Sequence, residues 1–167
     1  SSDLQILGFF VSLYLAGGNV EVLVFGEGER NEGVEAKKDL QVCGDCNLYV
    51  YAYDDAINAG NLLVAGGKVY TYSVANDAID SNGEICIAGG LVVADGSFSP
   101  EQGVDVDNYS LFSVRGGVLF SVGGSMGPSP AMPLSDRTSV PALAWSGFNL
   151  DKGRFLSLVD DEGRVLY

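Results

Sequence analysis

The strongest constraint on this chain is a pair of motifs that alternate in fixed phase along it. The first, apolar-x-apolar-x-Gly-Gly-x-apolar, occurs as LYLAGGNV (Leu13 to Val20), LLVAGGKV (Leu62 to Val69), ICIAGGLV (Ile85 to Val92) and FSVRGGVL (Phe112 to Leu119). A looser copy, LQVCGDCNL, runs from Leu40 to Leu48 with one residue inserted. The copies begin at residues 13, 40, 62, 85 and 112, so they are 27, 22, 23 and 27 residues apart. Between them sits an acidic motif: NEGVEA (Asn31 to Ala36), DDAINA (Asp54 to Ala59), NDAIDS (Asn76 to Ser81) and EQGVDV (Glu101 to Val106). A period in the low twenties, made of short alternating apolar runs and Gly turns, is a solenoid signature. One repeat cannot bury an apolar face alone, whereas stacked repeats can.

Other solenoids fail on detail. Leucine-rich repeats need an Asn or Cys ladder inside a longer Leu pattern, and calcium-binding nonapeptides need GGxGxD, but Gly66-Gly67 is followed by Lys68-Val69. The remaining reading is all-β: a right-handed, single-stranded parallel β-helix of about five or six coils with a C-terminal capping segment. Coils would span residues 1–124, and residues 125–167 would form a tail and capping strands packed on the same domain. Equivalent positions then stack at the strand spacing of about 4.8 Å. Val34, Ile57, Ile79 and Val104 form one apolar column; Leu40, Leu62, Ile85 and Phe112 a second; Val42, Val64, Ile87 and Val114 a third. End coils need covers, and Ser1 to Phe10 and Arg154 to Tyr167 are the expected caps.

Composition narrows the partners. There are 22 acidic residues against 9 basic ones and no His, for a net charge of −13. That argues against nucleic acid, and the lack of His removes the commonest general base and zinc ligand. The most apolar stretch, Leu4 to Ala16, is too short to span a bilayer and reads as strand, so no membrane insertion is expected. Cys43-Gly-Asp-Cys46 has CxxC spacing but no second pair to close a zinc site, and strand-like residues flank it on both sides, unlike a thioredoxin-type motif. With Cys86, these read as structural thiols or one local disulfide.

The alternation of D-D-[GA]-I-[ND]-[AS] with L-x-[VI]-x-G-G-x-[VL] resembles the bacterial secreted carbohydrate-binding domains that have a pectate-lyase-like right-handed parallel β-helix. The tail, a Gly/Ser/Met/Pro stretch (Gly123 to Pro133) followed by FLSLVDDEGRVLY, is similar to that family's closing strands. The resemblance covers roughly Leu13 to Tyr167. It implies an extracellular or cell-surface location, a calcium-rich acidic edge, and a polysaccharide partner, either acidic or a β-linked plant glycan. The motif's middle residue is Ala in two coils where the family often has Gly, and only Asp54-Asp55 keeps the acidic pair, which implies fewer calcium sites.

Stacked carboxylates about 5 Å apart repel by roughly 1 kcal/mol per pair even in water. A chain that stacks them must raise their pKa, interleave amides or bind a hard cation. Calcium ligands would be Asp54, Asp55, Asp77, Asp80 and Asp105; the competing role is capping backbone amides at solvated turns. An EF-hand is excluded, because aligning Gly83 with the loop's invariant Gly puts Ala78 and Gly89 at its first and last ligand positions.

Tyr49 and Tyr51 align with Tyr70 and Tyr72 in the next coil. With Leu48, Val50 and Val69 inside, this double tyrosine ladder faces outward, where stacked aromatics can hold sugar rings. The more ordinary alternative is a cover by the apolar run Ala142 to Phe148. A polysaccharide lyase would need a base beside the acidic cluster, and Lys37, Lys38, Lys68 and Arg115 show no recurrent pairing with it. The expectation is therefore a non-catalytic, calcium-stabilised polysaccharide-binding module, with a structural or adhesive β-solenoid as the alternative.

Overall fold

A computed structural model describes residues 10–28, 30–125, 132–133, 136–143, 157 and 159–165. The strands are Phe10–Leu15 (β1), Asn19–Leu23 (β2), Val34–Val42 (β3), Asn47–Ala52 (β4), Ile57–Ser73 (β5), Ile79–Ser81 (β6), Ile85–Asp95 (β7), Val104–Val106 (β8), Phe112–Val114 (β9) and Val118–Val122 (β10). A single 3-10 turn, Tyr109–Leu111, is the helical element among the described residues. Every named strand pairing is parallel. The chain is a parallel β-solenoid of about five turns, as its repeat requires.

Three flanks repeat along the solenoid. The first is short: Val34 pairs with Ile57, Ile57 with Ile79, and Ile79 with Val104. The second stacks Leu13, Leu40, Leu62, Ile85 and Phe112 in register. The third stacks Val20, Leu48, Val69, Val92 and Leu119. Strand alternation turns these columns inward, and in the inner coils they are essentially inaccessible to water. The columns join into one apolar core that no coil could enclose alone.

The ends differ from the middle. In the first coil Leu13, Leu15, Val20 and Val24 are only partly buried. At the other end, Val114 bridges Thr138 in parallel, with Val114 N–H donating to Arg137 C=O at 3.1 Å and Ser139 N–H to Val114 C=O at 2.9 Å. Residues 137–139 thus add a rung to β9, and Val140 packs on the core. The expected N-terminal cap lies, but for Phe10, outside the described residues. Of the expected C-terminal cap, residues 159–165 turn back on themselves through an antiparallel Val159–Val165 bridge, with both valines exposed.

Candidate functional site: the acidic corner and the tyrosine flank

Where the third flank of one coil passes into the first flank of the next, the acidic motifs stack. The reason for the repeat is visible in the backbone. Asp77 N–H donates to Asp55 Oδ1 at 3.1 Å, and Gln102 N–H donates to Asp77 Oδ1. Each carboxylate captures the amide of its equivalent in the next coil, a donor that would otherwise lie unpaired in a buried corner. Asn58 donates to the other Asp55 oxygen at 3.2 Å, and Gln102 Nε2 donates to Asp105 Oδ1 at 2.8 Å. Ser73 ties the flank to the corner: its hydroxyl donates to Asp54 C=O at 2.8 Å and accepts from Asn76 N–H at 2.9 Å.

The five aspartates divide into two groups. Both Asp54 oxygens are used locally, one accepting from Arg30 N–H and the other from Asn76 Nδ2 at 2.7 Å. Both Asp55 oxygens are engaged as described. Asp77, Asp80 and Asp105, from two successive coils, bring one carboxylate oxygen each to within 4.8 Å of the others. That span is about twice a Ca²⁺–oxygen distance of roughly 2.4 Å, and an all-oxygen carboxylate set suits a hard cation. These three could hold a hard cation with their remaining lone pairs, although Asp77 and Asp105 also accept backbone N–H groups from Gln102 and Val106. Asp54 and Asp55 have both oxygens engaged in hydrogen bonds.

Electrostatics mark the same corner. Desolvation, followed by the charges of Asp80, Asp77 and Asp54, pushes Asp55 up to about 8. Desolvation raises Asp77 to about 7, against the hydrogen bond from Gln102 and with the charges of Asp105, Glu101 and Asp80 adding to the rise. Asp80 rises to about 6, through desolvation and the charges of Asp105 and Asp107. Glu32, in the same column one coil earlier, is also raised, mainly by burial and by Asp54. Among the described residues, no Lys or Arg charge acts on Asp55, Asp77 or Asp80. Lys37 pairs with Glu35, and its charge partly offsets the rise of Glu32.

The tyrosine flank leads directly into this corner. Tyr49 is in register with Tyr70, and Tyr51 with Tyr72. The two columns behave differently. Tyr51 and Tyr72 stack on each other, with centroids 5.4 Å apart and planes 10° off parallel, and Phe25 extends the stack at 5.5 Å from Tyr51. Tyr51 and Tyr72 turn their ring faces to one another, whereas Phe25 is tilted 40° to Tyr51 and largely exposed. No such stack joins Tyr49 to Tyr70 among the described residues. Tyr49 and Tyr72 are 42% and 40% exposed. The expected cover, Ala142 to Phe148, lies beyond Leu143 outside the described residues.

Two features escaped the sequence reading. Phe25 extends the aromatic stack from a residue just past its strand, where repeat alignment gives no signal. A shallow cavity of about 290 Å³ lies on the second flank, lined in part by Asp39, Asn61, Leu63, Glu84, Cys86 and Arg115. Those residues belong to four successive coils, and Asp39, Asn61 and Glu84 follow the repeat spacing of 22 and 23 residues, but they lie outside both motifs that define the repeat. Among the described residues no helix is long and apolar enough to cross a membrane. No protein-family model matches the chain, and no match to it was found among curated proteins or solved structures.

Proposed function

We propose that this solenoid is a non-catalytic polysaccharide-binding module, secreted or displayed at a cell surface, with calcium as a structural cofactor at the acidic corner. The observation that carries the reading is the half-open tyrosine flank running into a carboxylate corner where Asp55, Asp77 and Asp80 have no Lys or Arg partner among the described residues. Tyr49 and Tyr70 offer unstacked rings on which the apolar face of a pyranose can rest, and their hydroxyls can bond to the sugar's own. Calcium between Asp77, Asp80 and Asp105 would neutralise the repulsion between coils and hold the end of the flank in place. That no Lys or Arg acts on Asp55, Asp77 or Asp80 among the described residues favours binding over elimination chemistry.

Affinity electrophoresis through gels containing an acidic or a β-linked polysaccharide tests the reading. Retardation in at least one gel, reduced in a Tyr49→Ala/Tyr70→Ala double variant that still unfolds cooperatively, supports the module. Uniform mobility in every gel sinks the glycan assignment. Calcium is tested separately by thermal unfolding in EDTA and in millimolar Ca²⁺ at constant ionic strength. A ligand that binds only the native state raises its stability by mass action, so a calcium-specific rise is expected, and its absence would leave the aspartates as backbone caps.

The second reading, a structural or adhesive solenoid with no glycan ligand, is favoured by the self-stacked Phe25–Tyr51–Tyr72 column. Rings that pack on one another, Tyr51 face to face with Tyr72 and tilted against Phe25, stabilise coils without needing a ligand.

A further inference from the structure

The corner between the second and third flanks is built alike in four coils and differently in one. Three residues, Ala65 to Gly67, join the paired positions Val64 and Lys68, and Ala88 to Gly90 join Ile87 and Leu91. In the second coil four residues, Cys43 to Cys46, span the matching interval from Val42 to Asn47. The extra residue is accommodated by a tight turn. Cys46 N–H donates to Cys43 C=O at 3.4 Å, and Gly44 takes a φ of 63°. Cys46 is turned fully into the core, while Cys43 is half-exposed, and both are free thiols.

We propose that Cys43 and Cys46 form a thiol modification site, in which a small oxidised disulfide reacts at Cys43 and Cys46 resolves the adduct into an internal disulfide that staples this corner. The geometry supplies three supports. The ends of a four-residue turn lie within about 7 Å, which overlaps the Cα separation of about 4.4–6.8 Å that a disulfide needs. Accessibility sets the order of events, because of this pair only Cys43 can be reached from solvent. The third cysteine is too far to compete: Cys86 is in register with Leu63, and Leu63 with Gln41, so two strand spacings, roughly 9–10 Å, separate it from the second coil. Burial raises the Cys46 thiol, with Cys43 and then Asp45 adding to the rise, so the two cysteines lie close enough to sense each other's charge.

The chemistry balances with an oxidised low-molecular-weight disulfide as the electron acceptor. Deprotonated Cys43 attacks one sulfur of the reagent, forming a mixed disulfide and expelling one thiolate, which takes up the proton Cys43 lost. Cys46, deprotonated in turn, attacks the Cys43 sulfur and expels the second thiolate. Two thiols in the protein are oxidised, and one reagent disulfide is reduced to two thiols. The buried position of Cys46 then shields the product from reduction.

The test uses the full chain, reduced, then incubated with oxidised glutathione, alkylated under denaturing conditions and mapped by mass spectrometry. The expected product is a Cys43–Cys46 peptide lighter by two hydrogens, with Cys86 outside the linkage. A melting temperature about 4 °C higher, reversed by dithiothreitol, should accompany it. Cys46→Ala should halt the reaction with glutathione on Cys43. Glutathione persisting on Cys43 in the unsubstituted chain, full alkylation of both thiols, or a linkage through Cys86 would each overturn the proposal. The map of the unsubstituted chain decides the matter even if Cys46→Ala fails to fold. The inference is independent of whether the tyrosine flank binds a glycan.

Discussion

Two corners of this solenoid repeat their residues with equal fidelity, and for different reasons. At the glycine corner the backbones of successive coils approach so closely that side chains are excluded. A Cβ on Gly90 would lie 2.5 Å from the carbonyl oxygen of Gly67, and both residues have φ near 80°. At the acidic corner the coils are joined through side chains, with Asp55 and Asp77 each accepting an amide proton from the next coil. The first corner repeats because only one residue type fits. The second repeats because a particular bond must be made, and it carries the charge that bond brings with it. A repeat can therefore encode geometry at one corner and chemistry at another, and perturbing each should give a different signature.

Breaking the geometric corner should have the largest effect. In Gly67→Ala the new Cβ would run into the Cys46 carbonyl oxygen, which already accepts a bond from Lys68 N–H at 2.8 Å, and φ at 76° disfavours any L side chain. Overpacking against backbone and a left-handed dihedral together cost about 3 kcal/mol or more. Gly18→Ala separates the two causes. Its φ is 81°, but a Cβ there would meet nothing within 4 Å, so only the dihedral cost of about 1 kcal/mol should appear. Urea midpoints for the two variants measure the difference. Equal losses would show that close approach is not what makes this corner glycine.

The acidic corner should respond to pH and cations, where the glycine corner does not. The folded pKa values of Asp55, Asp77 and Asp80, about 8, 7 and 6, all lie above the ordinary 3.8. Between pH 4 and 8 the folded state therefore holds more protons than the unfolded one, and stability falls as pH rises through that window. In EDTA the protein should be more stable at pH 5 than at pH 8 by on the order of 2 kcal/mol, after allowing for screening at a half-open corner. Calcium should remove most of the loss, because it binds the deprotonated form. Asp80→Asn should flatten the pH profile in EDTA and weaken the calcium response together. A variant that flattened the profile but kept the full calcium response would place the cation elsewhere.

The fold was legible in the sequence because period and alternation are properties of single residues in order. Register followed from aligning Gly-Gly with Gly-Gly, and the pairings Leu62 with Ile85 and Tyr51 with Tyr72 are those the alignment requires. The acidic site was legible only as a set of columns. Sequence placed five aspartates at the corner, but which of them converge depends on how each side chain is used. Asp54 and Asp55 are occupied by Arg30 N–H, Asn76, Asn58 and Asp77 N–H. The bonds from Asn76 and Asp77 follow the 22-residue repeat, but the sequence does not say which oxygen of a column is spent on an amide and which is left to face its neighbours. The rung at residues 137–139 was hidden for another reason. It follows a Gly/Ser/Pro-rich stretch and pairs by backbone alone, so it leaves no repeat behind.

The smallest effects should come from the flank between the two corners, where the tyrosine columns reproduce the same contrast. Tyr51 is held by rings on both sides, at 5.5 Å from Phe25 and 5.4 Å from Tyr72, so its role is geometric. Tyr49 is 42% exposed with no ring stacked on it among the described residues, so under the proposed function its role is chemical. Losing two aromatic pairs should make Tyr51→Ala cost about 1–2 kcal/mol, while Tyr49→Ala should cost about 0.5 kcal/mol or less. Retardation by polysaccharide should reverse the order, falling more for Tyr49→Ala than for Tyr51→Ala at matched folded fraction. If Tyr51→Ala abolished retardation while Tyr49→Ala left it intact, the sugar would be contacting ring edges along the stack, and the stacked column would itself be the binding surface.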